Sequence, residues 1–398
     1  MTGSPGPVPD PLAPAKLGPV ELRNRVIKSA TYEGMNHRSL VTDELIAFHR
    51  ELAAGGVGMT TLAYCAVTPE GRTERKQLYW RPEALPGLRR LTDAVHAEGA
   101  AVSAQIGHAG PVADARSNRL PSIAPSRSFQ PMSRTFNRPA TAEDITRITR
   151  AHADAATMAI AAGFDAVEIH LGHNYLASAF LSPRLNRRTD GYGGSLEHRA
   201  RLSREIARAV RDAVGNRVAI VAKLNLEDGI RRGLALPEAI QVAQWLTADG
   251  SLDALEMTAG SSLKNPMYLF KGPAPLKEFA AAMRRPVRLG VRIAGRTVLH
   301  DYPYEDLYLL ADAERVRAAV DLPLILVGGV TDKATMDRAM AAGFQFVAMA
   351  RALLREPDLV NRIRSDPTTP SLCTHCNRCM PTIYTGTRCV EIPQRFSA

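Results

Sequence analysis

Residues 142–170, AEDITRITRAHADAATMAIAAGFDAVEIH, hold a helix, a turn and a strand in succession, and this unit decides the fold. Apolar side chains recur at helical spacing over 142–162. The small-residue turn AAGF then closes the helix, as expected where a left-handed C-cap feeds the next strand. The run 166–170 is continuous rather than alternating, which is how parallel strands covered on both faces read. Working outward, the same kind of run recurs at 26–30, 57–64, 100–106, 218–225, 254–258, 324–327 and 346–350. Helical spacing recurs between them at 42–54, 84–98, 195–214, 237–248, 305–320 and 332–342, with a last helix within 353–364. Ser195 and Asp332 suit N-caps, and Pro237 suits a first helical turn.

Eight strand–helix pairs predict an α/β fold, a closed (β/α)8 TIM barrel, over an open doubly wound sheet. No GxGxxG follows the first strand, which weighs against a dinucleotide-binding sheet. Two connections, about 107–141 and 259–304, are far longer than the rest. Both follow strands, so both rise as walls or lids over the C-terminal mouth, where barrel active sites lie. The expected division is a Pro-rich arm over 1–18, the barrel over 19–366 and a Cys-rich segment over 367–398.

Composition narrows the function. With 45% hydrophobic and 23% charged residues in 398, the chain reads as globular rather than disordered. It holds no apolar run long enough to span a bilayer and no secretory signal at its start, so the cytoplasm is expected. The formal charge of +10 raises nucleic acid as a partner, but basic residues are interleaved with 40 acids throughout. Only Arg284, Arg285, Arg288, Arg292 and Arg296 form a patch, with no nucleic-acid-binding motif beside them. A solvated basic face is expected, or a patch attracting an anionic substrate or cofactor. The partner is a small molecule, not nucleic acid or membrane; homo-oligomerisation stays open.

Chemistry concentrates at strand ends. His170, His173 and Tyr175 crowd within six residues after the fourth strand. Two imidazoles can aim donors at one oxygen, and a nearby phenol can protonate a carbon that gains negative charge. The bland alternatives are structural histidines or a zinc pair, although the spacing of common zinc hydrolases is absent. Gly328 and Gly329 end the seventh strand, and Ala350 and Arg351 the eighth. Glycine amides with an Arg at this position suit the phosphate of a sugar phosphate or a flavin mononucleotide. Four of the five cysteines, Cys373, Cys376, Cys379 and Cys389, form C-x2-C-x2-C-x9-C. That spacing suits a [4Fe–4S] cluster, with structural zinc or free thiols as alternatives. Cys65 reads as a small buried hydrophobe.

The segments ELRNRVIKSA, GVGMTTLAYCAVTPEGR, AQIGHAG, GFDAVEIHLGHNYLASAFLSPRLNRRTDGYGGS and VGGV…VAMARALLREPDL resemble the Old Yellow Enzyme family of FMN-dependent NAD(P)H:flavin oxidoreductases. The resemblance implies an FMN-binding barrel in which His170 and His173 hold the substrate oxygen and Tyr175 protonates the alkene carbon. It places Gln105 and Lys223 at the flavin's pyrimidine edge, and Ser29, Ala30, Thr31 and Tyr64 along the ring. Gly328, Gly329, Ala350 and Arg351 take the phosphate. The chain departs from the family at Ala30, often Pro; at Tyr32, often Thr or Cys near the flavin carbonyl; and at Asn174, usually Gly. Asn tolerates a left-handed turn, so Tyr175 is expected to keep its place. The cysteine motif resembles that of trimethylamine dehydrogenase and dienoyl-CoA reductase, whose chains continue into a nucleotide-binding region.

The expected activity is hydride transfer from NAD(P)H through FMN to an activated alkene, an α,β-unsaturated carbonyl compound. One alternative is a flavin/iron–sulfur dehydrogenase or demethylase passing electrons to a separate carrier. The other is a flavin-free barrel lyase or isomerase with a phosphate-binding site.

Overall fold

All eight expected strands form in the computed structural model, which describes residues 8–130, 133–283 and 285–393, without the side chains of 285–287 and 294. They are β1 (Val26–Lys28), β2 (Met59–Ala66), β3 (Ala101–Gly107), β4 (Ala166–Leu171), β5 (Ala219–Asn225), β6 (Ala254–Thr258), β7 (Leu324–Val327) and β8 (Phe346–Met349). Each pairs in parallel with its sequence neighbours, and β8 closes on β1 through Val347 opposite Val26, so the sheet is a barrel. The outer helices are α1 (Asp43–Ala54), α2 (Leu85–His96), α3 (Ala142–Ala161), α4 (Leu196–Val214), α5 (Leu236–Ala248), α6 (Leu310–Arg317) and α7 (Lys333–Ala341). Ser195 and Asp332 cap α4 and α7 through their side chains.

Alternation along the strands sorts the interior. Val167 and Ile169 of β4 join the large outer core with the helices, whereas Ala166 joins Val221, Ala254, Ile325 and Phe346 inside the barrel. Glu168 and His170, two and four residues on from Ala166, therefore face inward above that apolar floor.

Three expectations need correction. The division at 18 falls inside a hairpin, Ala15–Leu17 paired with Val20–Leu22, whose Leu17 and Leu22 pack into the floor. The helix expected over 305–320 shrinks to α6, because Leu307 N donates to Gly329 O at 3.1 Å and draws 305–309 across the end of β7. The last helix breaks at Pro357 into Arg351–Arg355 and Leu359–Ser365, as Pro disfavours a helical residue before it.

The long connections carry structure of their own. The first holds a three-stranded sheet (Ile123–Ala124, Ser128–Gln130, Thr135–Pro139) and the second the helices Pro266–Phe270, Leu276–Ala282 and Arg285–Ala294. Of the basic patch, Arg284 lies outside the described residues. No described helix is long and apolar enough to cross a membrane.

Candidate active site

β4 delivers His170 to the mouth, and the turn after it delivers His173 and Tyr175. His173 and Asn174 have φ of +59° and +60°, so the turn is left-handed, the conformation that Asn accepts. His173 N donates to Asn225 Oδ1 at 3.0 Å, and its Nε2 lies 2.8 Å from Thr258 Oγ1. The ends of β5 and β6 thus fix the second histidine and leave its Nδ1 as the nitrogen that can meet a ligand. The His170 and His173 rings stand 5.1 Å apart, and the Tyr175 ring stands 4.3 Å from His170. Tyr64 packs edge-on against Tyr175 at 5.2 Å and donates its hydroxyl to Gly71 O.

Burial lowers the His170 pKa well below the imidazole range, with His173 and Lys223 adding to the effect. Burial and Lys223 push His173 down to about 3. Both rings are neutral near pH 7, so each can offer one N–H to a ligand. Burial raises the Tyr175 phenol, so it holds its proton until chemistry calls for it.

Beneath the histidines lies a charged layer of which the sequence reading found Lys223 and its neighbour Gln105 but missed Glu168 and Glu256. Register sets Lys223 of β5 opposite Glu256 of β6, and Gln105 of β3 opposite Glu168 of β4. Their only sequence signal was a Glu inside two otherwise buried strands, AVEIHL and ALEMT, where an ion demands a partner. Ser29 Oγ joins by donating to Glu256 Oε1 at 2.8 Å. Of the other residues expected along a flavin ring, Ala30 packs against the buried cluster that holds Ala63, Tyr64 and Ala66. Tyr32 donates its hydroxyl to Glu74 Oε1 at 2.8 Å.

The phosphate end is less open than expected. Gly328 and Gly329 have φ of +100° and +78°, and a Cβ on Gly329 would stand 2.4 Å from Leu307 N, so only glycine fits. Arg351 turns to the Cys-rich segment, with Nη1 donating to Asn377 Oδ1 and, at 3.4 Å, to Lys271 O. Ala350 caps its short helix.

The site meets a test of fit to FMN on its own atoms. His170 Nδ1 and Thr31 Oγ1 are buried and without a hydrogen-bond partner, which costs free energy unless a ligand completes them. Gln105 and Lys223 carry donors of the kind a pyrimidine edge would need, and the Gly328–Gly329 turn lies at the strand ends where barrels hold phosphate.

The Cys-rich segment straps back onto the barrel: Thr387 N donates to Glu33 O at 2.7 Å and Thr387 Oγ1 to Tyr32 O at 2.5 Å. Its five-residue 3-10 turn, Met380–Tyr384, brings Tyr384 to within electrostatic reach of Tyr175. Cys373, Cys376, Cys379 and Cys389 are unpaired thiols lining one cavity together with Arg351 and Arg355. No three His, Cys, Asp or Glu side chains among the described residues stand close enough to hold one metal ion, so the zinc alternative finds no formed site. Four thiols around one cavity fit the donor set of a cluster, whose ligands are spread over several irons. Cys65 is buried on β2 as expected.

A parallel barrel with a His–His–Tyr mouth over a Gln–Lys pair defines a flavin oxidoreductase. The sequence signature of the NADH:flavin oxidoreductase / NADH oxidase family matches residues 12–263, and the chain belongs to this Old Yellow Enzyme family. It is similar to 4,4'-dithiodibutanoate disulfide reductase of Rhodococcus erythropolis, 50% identical over 384 residues covering 96% of this chain and 95% of that protein. Among solved structures, a 2-naphthoyl-CoA reductase complex matches with a TM-score of 0.83 at 25% identity, covering 96% of this chain and 57% of that one. The Old Yellow Enzyme homologue of Zymomonas mobilis shares the fold, with a TM-score of 0.72 at 21% identity over 96% of this chain and 100% of that one. The chain is an NAD(P)H-dependent flavin oxidoreductase, and the flavin-free lyase or isomerase reading gives way.

Proposed function

We propose that the chain reduces small electron-poor acceptors, first among them α,β-unsaturated carbonyl compounds. The observation that carries this reading is the Tyr175 ring 4.3 Å from His170, beside an unpartnered His170 Nδ1. FMN, when bound, accepts a hydride from NAD(P)H and delivers one to the second substrate. His170 and His173, neutral and fixed, hold the carbonyl oxygen and favour the enolate that develops there. Tyr175 gives its proton to the α-carbon as the β-carbon receives hydride, so one NAD(P)H and one proton account for the two hydrogens added.

In Tyr175→Phe, alkene reduction should slow about 100-fold or more, the usual span for a positioned acid, while flavin reduction by NAD(P)H is spared. Stopped-flow measurement of the two half-reactions separates these, and equal loss in both overturns the assignment. The same assay should include 4,4'-dithiodibutanoate, because the relative named for that activity is 50% identical. There Tyr175 would protonate the departing thiolate.

A second reading is supported by the four-thiol cavity. The mouth would then oxidise its substrate, and a [4Fe–4S] cluster on Cys373, Cys376, Cys379 and Cys389 would pass electrons to a separate carrier. Iron and sulfide analysis of anaerobically purified protein tests the cluster; reduction by NAD(P)H at a useful rate favours the first reading. A cytoplasmic setting, with no nucleic-acid or membrane partner, belongs to the same proposal.

A further inference from the structure

The charged layer under the mouth takes no part in the proton and hydride movements above. Glu168, Lys223 and Glu256 are at most 3% exposed, and they come from three adjacent strands. Lys223 Nζ lies 2.6 Å from Glu256 Oε1 and 3.2 Å from Glu168 Oε1. Gln105 Nε2 donates to Glu168 Oε1 at 2.6 Å. The two side chains that the resemblance sets at the pyrimidine edge are therefore the two that the glutamates grip. Ions are expensive to bury, and apolar residues of similar volume would pack a barrel interior at least as well. Something other than packing accounts for this layer.

The two carboxylates are not equivalent. Burial pushes Glu168 up to about 8, with Glu256 adding to the effect against the pull of Lys223. Burial opposes ionisation of Glu256 too, but there Lys223 together with hydrogen bonds from Glu168 and Ser29 holds the carboxyl below its ordinary range. Glu256 is the anion that offsets Lys223, and Glu168 is the carboxyl that takes up a proton more readily.

We propose that Glu168 and Glu256 are positioning residues for the flavin: they fix Gln105 and Lys223 at its pyrimidine edge, and Glu256, by offsetting the Lys223 charge, sets how strongly the reduced flavin is favoured over the oxidised one. This rests on FMN binding as read above. A reduced flavin carries added negative charge on its pyrimidine side. An unopposed ammonium stabilises that charge, and a carboxylate 2.6 Å from the ammonium works against it.

Glu256→Gln keeps the shape and an acceptor for Ser29 while removing the charge. Reduced FMN should then be held about tenfold more tightly relative to oxidised FMN, a rise in midpoint potential of about 30 mV for two electrons. Glu168→Gln should move the potential the same way by less, because its carboxyl is farther from Lys223 and more readily neutral. The experiment reconstitutes the full chain with FMN and measures bound flavin by absorbance and potential by spectroelectrochemical titration. Wild-type protein that binds no FMN removes the proposed function with this inference. Flavin bound normally, with both variants at the wild-type potential or below it, overturns the inference alone. Should Glu256→Gln fail to fold, Glu168→Gln titrated above pH 8, where the wild-type carboxyl is ionised, carries the same test.

Discussion

His173 and Asn174 occupy left-handed backbone in succession, and what the site can do depends on that turn. A β-branched residue there would clash with its own carbonyl, whereas Asn pays little. Asn174→Val should cost about 1–3 kcal/mol of stability, the usual range for such strain, and should loosen the Tyr175 ring from His170. Denaturant unfolding gives the first, and the ratio of the two half-reaction rates the second; a variant as stable as wild type refutes the strain. Asn174→Gly should keep both. At this scale much was legible: the mouth triad followed from three residue types within six positions. The partners of His173 were not, since Asn225 and Thr258 lie 52 and 85 residues away and reach it only once the barrel closes. Glu168 and Glu256 were not legible either, because each is a single charge inside an apolar run whose partner stands on another strand.

Among the elements, the hairpin at Ala15–Leu17 and Val20–Leu22 shows how a short segment can do structural work that pattern does not announce. Three-residue strands carry too few positions for a period of two to stand out, and a Pro-rich lead-in suggests a loose arm. Yet Leu17 is 1% exposed and packs with the barrel floor beside Phe346 and Met59. Leu17→Ala should therefore cost about 2–5 kcal/mol, as a buried leucine truncation does where the surroundings cannot collapse. Urea unfolding monitored by circular dichroism checks it, and a loss below ~1 kcal/mol would mean the hairpin is not needed to close the barrel. The eight main strands were legible because each is an unbroken buried run. The small sheet and helices of the two long connections were not, because their packing comes from the mouth they cover.

At the scale of the whole molecule, buried imidazoles decide how the fold answers acid. Burial holds His152 at about 4 and lowers His49 as well, the latter against the pull of Glu33. His170 is lowered for the reasons given at the site. Each stays neutral in the folded chain below the ordinary value of 6.5, His152 and His170 well below it, while the unfolded chain takes up its proton there. The unfolded state thus binds more protons below pH 6.5, and stability must fall as pH drops. For His152 alone, 3% exposed, the loss comes to about 3 kcal/mol by pH 4. Glu70, held at about 2 by His108 and Arg147 against burial, adds a loss below its unfolded value of 4.5. Glu168 works in the other direction. Raised to about 8, it contributes stability that is whole below pH 4.5 and fades as pH rises through 8. Four deep histidines, His173 among them, and a paired carboxylate outnumber that one carboxyl, so the melting temperature should decline steadily from pH 7 to pH 4. A flat profile over that interval would show that the imidazoles are protonated in the folded chain, and the description of His170 and His173 as neutral donors would fall with it.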